Sequence, residues 1–369
     1  MNQKELIKTK LDKNMVMKLK SNICSNDFLE FGNMYKALKK SCCNVRWKTS
    51  VTQFEINALK NTARSIRDIQ SNRYKISPYY EFTLYEPKER LIKATRIKDR
   101  QVQRSLCDNY LYDAITSCFI YDNCACQKNK GTDFTYKRIK THLSKSFREY
   151  GNNSFWYLKC DIHHFFESID HEKLKKFVKK RVKSDLELFL VFQVIDSFGN
   201  KGLGLGSQLS QLLALLYLNE LDHIIKEKLH MKHYVRYMDD FCIFSNSKDE
   251  LIKCLEFIKT YLKSTGLELN KKTTIQPIYR NMKFMNWKFT VTETGKVLMI
   301  QDRCKIRDKR KKLNKMLNLV MENKIKPEYF KQSLNGIIAH LEKGNSYTTI
   351  KEFKNYIKSV PHGTFYRFK

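Results

Sequence analysis

The chain has 369 residues, 42% hydrophobic and 12% aromatic, which suffices for two or three packed domains and excludes a disordered tail. Lys plus Arg number 70 against 38 Asp plus Glu, and a formal charge of +32 collects polyanions, discourages self-association and makes nucleic acid the leading partner class. The 11 Cys lack the paired CxxC spacing of a zinc site and read as reduced thiols. The opening MNQKELIKTKLDK is too polar for a signal peptide, and no run nears the roughly 18 apolar residues that span a bilayer, so the expected location is cytoplasmic.

Residues 1–75 read as a helical N-terminal extension, with Phe54, Ile56, Leu59, Ile66 and Ile69 forming an apolar face among Lys and Arg. From Tyr79 to Thr95 the alternation in YYEFTLYEPKERLIKAT predicts a β-hairpin turning at Glu86–Glu89, with a helix expected from Asp99. FWYLKCDI, from Phe155 to Ile162, predicts a buried strand that ends at Asp161, followed by a basic helix from His171 capped by Ser168 or Asp170. Leu209 to Leu229 reads as one long helix with a broad apolar face. YVRYMDDFCIF, from Tyr234 to Phe244, reads as two short strands joined at Met238 to Asp240. Leu251 to Ser264 is a further amphipathic helix, and beyond Val291 a strongly basic helical tail is expected to residue 369. Helices beside a small antiparallel sheet make an α+β protein.

The carboxylates carry the chemistry. Adding a nucleotide to a growing strand uses two divalent cations about 3.5 to 4 Å apart, held by hard oxygen ligands. Asp161 at the end of one strand and Asp239 and Asp240 at a downstream β-turn meet that demand if the strands are neighbours. An Asp pair is common in solvated turns, but this one lies between two apolar strands, where adjacent like charges cost energy unless a cation compensates them.

YMDD at Tyr237 to Asp240 resembles the active-site hairpin of reverse transcriptases, and DIHHFF at Asp161 to Phe166 resembles their first catalytic motif. YEPKERLIKA, DRQVQRSL and KGT, starting at Tyr85, Asp99 and Lys130, resemble finger motifs of the bacterial enzymes, in the same order along the chain. The implied fold is a right-hand polymerase: an N-terminal helical extension at 1–75, fingers at 76–150, a palm with an antiparallel sheet at 151–300 including finger-palm helices around 171–230, and a basic helical thumb at 301–369.

The resemblance implies a metal-holding set of Asp161, Ile162, Asp239 and Asp240 for two Mg²⁺ ions, with Mn²⁺ a possible substitute. It makes Phe166 the steric gate against a 2′ hydroxyl and gives Lys88 and Arg90 the grip on the triphosphate. Leu205 and Gly206 fall in GLGLGSQLSQ, similar to the motif supporting the templating base and incoming nucleotide, with Gly204 standing where most relatives carry Pro. Lys272 is similar to the lysine that protonates departing pyrophosphate, with Lys271 beside it an alternative. KFMNWKF at Lys283 to Phe289 resembles the hairpin supporting the primer end, with Trp287 as a packing residue. Arg303, Lys305, Arg307, Arg310 and Lys311, ahead of a segment similar to a compact bacterial thumb, are the expected phosphate contacts.

The implied function is that of an RNA-directed DNA polymerase, using deoxynucleoside triphosphates to copy an RNA, expected to be a dedicated non-coding one, into cDNA. Ser210–Gln211 and YLNELDHIIK at Tyr217 to Lys226 resemble enzymes of diversity-generating retroelements and of defence-associated groups, within the wider group II intron-like lineage. Antiviral defence is the favoured role and diversity generation the alternative. An RNA polymerase of the same fold, or an RNA-binding protein with a vestigial site, are the other readings. An accessory protein or homo-oligomer stays open.

Overall fold

The computed structural model describes residues 27–85, 89–152 and 154–358. The first 26 residues of the predicted extension, the last 11 of the predicted thumb, and Lys88 lie outside the described residues. No described helix is long and apolar enough to cross a membrane. The chain divides into two compact units, one comprising the described residues of Met1–Tyr121 with Ile162–His223 and Thr260–Glu268, the other Asp122–Asp161, Ile224–Lys259 and Leu269–Lys369.

In the first unit, helices α1 (Phe31–Cys42), α2 (Thr49–Ile56), α3 (Ala58–Gln70) and, after a hairpin, α4 (Ile97–Leu106) pack together around Leu38, Cys42, Val51 and Ala58. Buried Gln101 on α4 donates from its side-chain nitrogen to the Met34 carbonyl at 3.1 Å and to Thr62 Oγ1 at 2.9 Å, so the three helices carrying these residues share one polar contact. The hairpin is β1 (Tyr80–Leu84) with β2 (Arg90–Ala94), antiparallel and in register from Tyr80↔Ala94 to Leu84↔Arg90, as the alternation predicts.

The second unit has helix α5 (Thr132–Tyr150) and strand β3 (Trp156–Cys160). Helices α6 (His171–Arg181), α7 (Asp185–Asp196), α8 (Gln208–Tyr217) and α9 (Asn219–His223) return the chain to the first unit. Asp170 caps α6, its carboxylate accepting from Lys173 N at 2.9 Å. The single helix expected over Leu209 to Leu229 is instead broken. Leu218 leaves helical geometry after α8, and Ile224–Lys228 is a widened π turn after α9, interruptions that need neither Gly nor Pro and leave the apolar pattern untouched.

The second unit's sheet has the order β4-β5-β3-β6, with β4 (His233–Tyr237), β5 (Asp240–Ser245) and β6 (Thr274–Pro277) all antiparallel to their neighbours. Between β5 and β6 runs α10 (Lys248–Ser264). A three-stranded sheet follows, β7 (Met282–Phe284), β8 (Trp287–Val291) and β9 (Val297–Gln301). The helical tail expected beyond Val291 therefore begins later, at α11 (Arg303–Met321), followed by α12 (Pro327–Glu342) and α13 (Tyr347–Lys358). VLMIQ is a strand because the turn Thr292–Gly295 folds it back on β8, pairing Val297 with Val291.

One core joins the two sheets to α5 through Tyr136, Ile139, Leu143, Tyr157, Val235, Cys242, Phe244, Phe284, Trp287 and Phe289. A second, built from Leu313, Phe330, Leu334, Leu341 and Phe353, holds the three C-terminal helices together. Where α12 ends, Asn345 braces β9: its N–H donates to the Met299 carbonyl at 2.7 Å and its side-chain oxygen accepts from Met299 N at 3.0 Å. Gly344 permits this approach, because a Cβ there would meet the Trp287 ring at 2.4 Å and the Met299 carbonyl at 2.5 Å.

Candidate active site

Strand alternation sets the site. In β3, Tyr157 and Lys159 point to one face, with Asp161 next in that alternation. In β5 the same face carries Asp240, Cys242 and Phe244, because Lys159 lies opposite Cys242 and Tyr157 opposite Phe244. Apolar members of this set enter the core under α5, and the end bearing Asp240 continues into an open pocket of about 520 Å³ lined by Tyr237, Met238, Asp239 and Asp240 together with Tyr136, Met285, Asn286, His340 and Lys343.

Tyr237 pairs with Asp240 across β4 and β5, so Met238 and Asp239 form a two-residue loop. Met238 adopts φ of 56°, a left-handed conformation costly for a side chain of its kind. Arg236, fully buried two residues earlier, donates from Nη1 to the Met238 carbonyl at 2.9 Å and ties the loop to its own strand. The Arg236 backbone is held in turn by the segment 122–124, with Arg236 N donating to Asp122 O at 3.0 Å and Cys124 N to Arg236 O at 2.9 Å.

Burial, with repulsion from Asp161 and Asp239, pushes the Asp240 carboxyl up to about 6, against the opposing pull of Lys159 and Lys272. Lys159 Nζ stands 3.9 Å from Asp240 Oδ1. The loop bearing Lys272 is fastened to the same place, since Asn270 N donates to the Asp161 carbonyl at 2.7 Å and Asn270 Oδ1 accepts from Lys272 N at 3.1 Å. Asp161, Asp239, Asp240 and Lys272 thus come together within one unit. Among the described residues no three His, Cys, Asp or Glu side chains are drawn in to the spacing of a shared ion. The donor set nevertheless fits a hard divalent cation, being three carboxylates of which one is held protonated up to mildly acidic pH by its neighbours and its burial.

Arg90, Ile162, Phe166, Leu205 and Gly206 lie in the first unit. Ile162 is buried directly after Asp161, and Phe166 is half-exposed while its neighbour Phe165 is buried. The glycine-rich loop docks on this segment, Gly202 N donating to Ile169 O and Leu203 N to Phe166 O, each at 2.8 Å. Leu205 bridges to Ile92 on β2, the strand that begins at Arg90. At Gly204 the Phe198 ring occupies the space a side chain would need, its Cε1 lying 2.4 Å from an ideal Cβ position; Phe198 is itself stacked on Tyr79 at 5.0 Å. This ring accounts for the departure from proline.

In the second unit Trp287 is a core residue, packed edge-on to Tyr136 and against His340. Arg303, Lys305, Arg307 and Lys311 are exposed on α11, whereas Arg310 is engaged with Glu352 and lies over the Phe353 ring at 5.8 Å. Two residues of the site escape sequence reasoning. Arg236 and Lys159 occupy ordinary positions in alternating strands, and only the cross-strand register places them beside the carboxylates.

Residues 86–289, more than half of the chain, match the family described as reverse transcriptase (RNA-dependent DNA polymerase). The chain belongs to this reverse transcriptase family. Enzymes of this family are RNA-directed DNA polymerases, nucleotidyltransferases that use divalent metal ions. Among solved structures, it is similar to telomerase from Candida albicans in complex with a fragment of telomeric RNA, at 10% identity, 78% coverage of this chain, 58% of the other and a TM-score of 0.49. It is also similar to apo telomerase from Candida tropicalis, at 13% identity, 77% and 56% coverage and 0.49. The form of that enzyme lacking its C-terminal domain gives 14% identity, 66% and 60% coverage and 0.47. The reverse transcriptase described here spans 56–60% of the length of those three structures. No curated protein sequence matches it.

Proposed function

We propose that this reverse transcriptase copies a dedicated non-coding RNA into cDNA at Asp161, Asp239 and Asp240, in the cytoplasm, as part of antiviral defence. The observation that carries the catalytic part is the meeting of three carboxylates at neighbouring ends of β3 and β5, with Asp240 raised by its burial and by the other two. The biological role rests on the bacterial likeness of Ser210–Gln211 and the segment after it, with diversity generation the alternative.

Asp161, Ile162, Asp239 and Asp240 would hold Mg²⁺, for which Mn²⁺ could substitute. When bound, a pair of such ions activates the attacking 3′ hydroxyl and neutralises the charge on the leaving pyrophosphate. The chain's own groups do the rest. Lys272, whose charge reaches Asp240, supplies the proton that pyrophosphate takes up; that reach favours it over Lys271. Phe166, half-exposed, sits under the sugar and excludes a 2′ hydroxyl, while Lys88 and Arg90 grip the triphosphate and Leu205 and Gly206 support the base pair. Arg303, Lys305, Arg307 and Lys311 track phosphates along α11. In the right-hand layout, 76–150 serve as fingers, 151–300 as palm and 301–369 as thumb, although α5, inside the first of these ranges, packs on the palm sheet.

The test is purification with co-bound nucleic acid and sequencing of that RNA, alongside Mg²⁺-dependent deoxynucleotide incorporation by the wild type and Asp239→Asn. One abundant RNA, synthesis by the wild type and none by the variant, with RNA binding retained, is the expected result. Full activity in Asp239→Asn would remove the site assignment. Bound RNA without incorporation by either protein would leave an RNA-binding protein.

A further inference from the structure

The pocket at the catalytic turn does not end there. Tyr136 and Lys343 line it, and the same two residues line an adjoining groove of about 590 Å³ that runs over the outer face of α5. The other residues of that groove are Asp133, Lys137, Lys140, Thr141, Ser144 and Arg148. Their spacing along α5 places them on one stripe, opposite the side buried through Ile139 and Leu143.

The stripe is cationic and built for an anion. Lys137, Lys140 and Arg148 lie along the helix, Lys343 closes the near end, and the single carboxylate in the lining, Asp133, is already held by Lys343 at 2.8 Å. The nearest other carboxylate on the helix, Glu149, is occupied by Lys232 and His233. Burial pulls the Lys140 ammonium below its ordinary value, so an anion brought to it would relieve a desolvation already incurred.

We propose that this groove binds the phosphate backbone of the template–product duplex as it leaves the catalytic turn. The inference rests on the polymerase reading above, because only a strand ending at Asp239 and Asp240 has reason to pass from one pocket into the other. From Tyr136 to Arg148 the helix rises about 18 Å at about 1.5 Å per residue, the length of roughly five base pairs at about 3.4 Å each. Contact therefore begins close to the primer end and needs a duplex of about that length to be complete.

The test compares the wild type, the triple variant Lys137→Gln/Lys140→Gln/Arg148→Gln and a charge-matched control, Lys145→Gln/Lys253→Gln/Lys263→Gln, whose lysines are exposed outside the groove. Each is titrated with an RNA–DNA primer–template carrying either 3 or 12 base pairs behind the primer end, over a salt series, with retained helix content checked by circular dichroism. The groove variant should lose about tenfold or more in affinity for the long duplex, and its salt slope should fall by about two to three, near 0.9 for each phosphate contact removed. Its loss for the short duplex, which reaches Lys137 and Lys140 but not Arg148, should be clearly smaller, and the control's affinity for both should stay within about twofold of wild type. Equal losses in the two triple variants, equal losses for the two lengths, or no loss would overturn the groove. A wild type that favours the long duplex through these residues yet incorporates no deoxynucleotide would instead overturn the polymerase reading and leave the groove standing.

Discussion

Replacing Asp240 with Asn should make the metal-free protein more stable while ending synthesis. Asp240 is raised from an ordinary 3.8 to about 6, a shift of roughly two pH units, and each unit corresponds to about 1.4 kcal/mol between the charged and neutral forms. That gives about 3 kcal/mol against the ionised carboxylate at neutral pH. Its side chain keeps 31% exposure, and solvent screening trims the figure to about 1–2 kcal/mol. The sign follows from the raised folded value. Relative to the Asn variant, the wild type is at its best below pH about 4, where the carboxyl is neutral folded or unfolded, and loses ground as pH rises through about 6. Urea unfolding followed by fluorescence of buried Trp287, in chelator, at pH 7.5 and at pH 4, measures the difference between the two proteins. Other titrating groups, such as the buried pair His142 and His233, cancel in that difference. Added Mg²⁺ should then stabilise the wild type more than the variant. A variant no more stable than wild type at pH 7.5, or a gain that persists undiminished at pH 4, would refute the account of the site as three mutually repelling carboxylates.

Phe166→Val should relax sugar selection by about 10–100-fold, read as the ratio of ribonucleotide to deoxynucleotide incorporation, with the rate for deoxynucleotides much less affected. Arg236→Met leaves the Met238 carbonyl without its donor at a cost of about 1–3 kcal/mol. It should lower kcat with little change in RNA affinity, and Arg236→Lys should recover part of the loss; a matched fall in RNA binding would contradict the role. Gly204→Ala should destabilise by about 1–3 kcal/mol because the Phe198 ring must move, and Phe198→Leu should restore much of it, checked by denaturant midpoints of the single and double variants.

The hairpin of β4 and β5 was legible because its two halves are short alternating runs with nothing but Met238 and Asp239 between them, and alternation fixes both pairing and face. Asp161 was legible as the residue that ends a buried strand. What alternation could not show is that a strand's far edge may be covered by more chain. Arg236 reads as an outward polar residue, yet it is buried because the segment 122–124 lies against β4. Strand β9 was read as helix because its five residues are short, apolar and followed by a basic helix, and only pairing with β8 distinguishes them. The break at Leu218 between α8 and α9 and the π turn after α9 leave no composition signal, since they change the winding and not the residue types.

The brace between Asn345 and Met299 divides the C-terminal helices into a part that can tolerate insertion and a part that cannot. The turn from Glu322 to Lys326 joins α11 to α12 over exposed and half-exposed residues, so extra residues there would lengthen a surface loop. At 343–345 the backbone is locked against β9 and Trp287, and even one added residue would break the register of the paired hydrogen bonds. A tag or fused domain meant to leave His340 and Lys343 beside the Met238–Asp239 turn therefore belongs in the first of these turns.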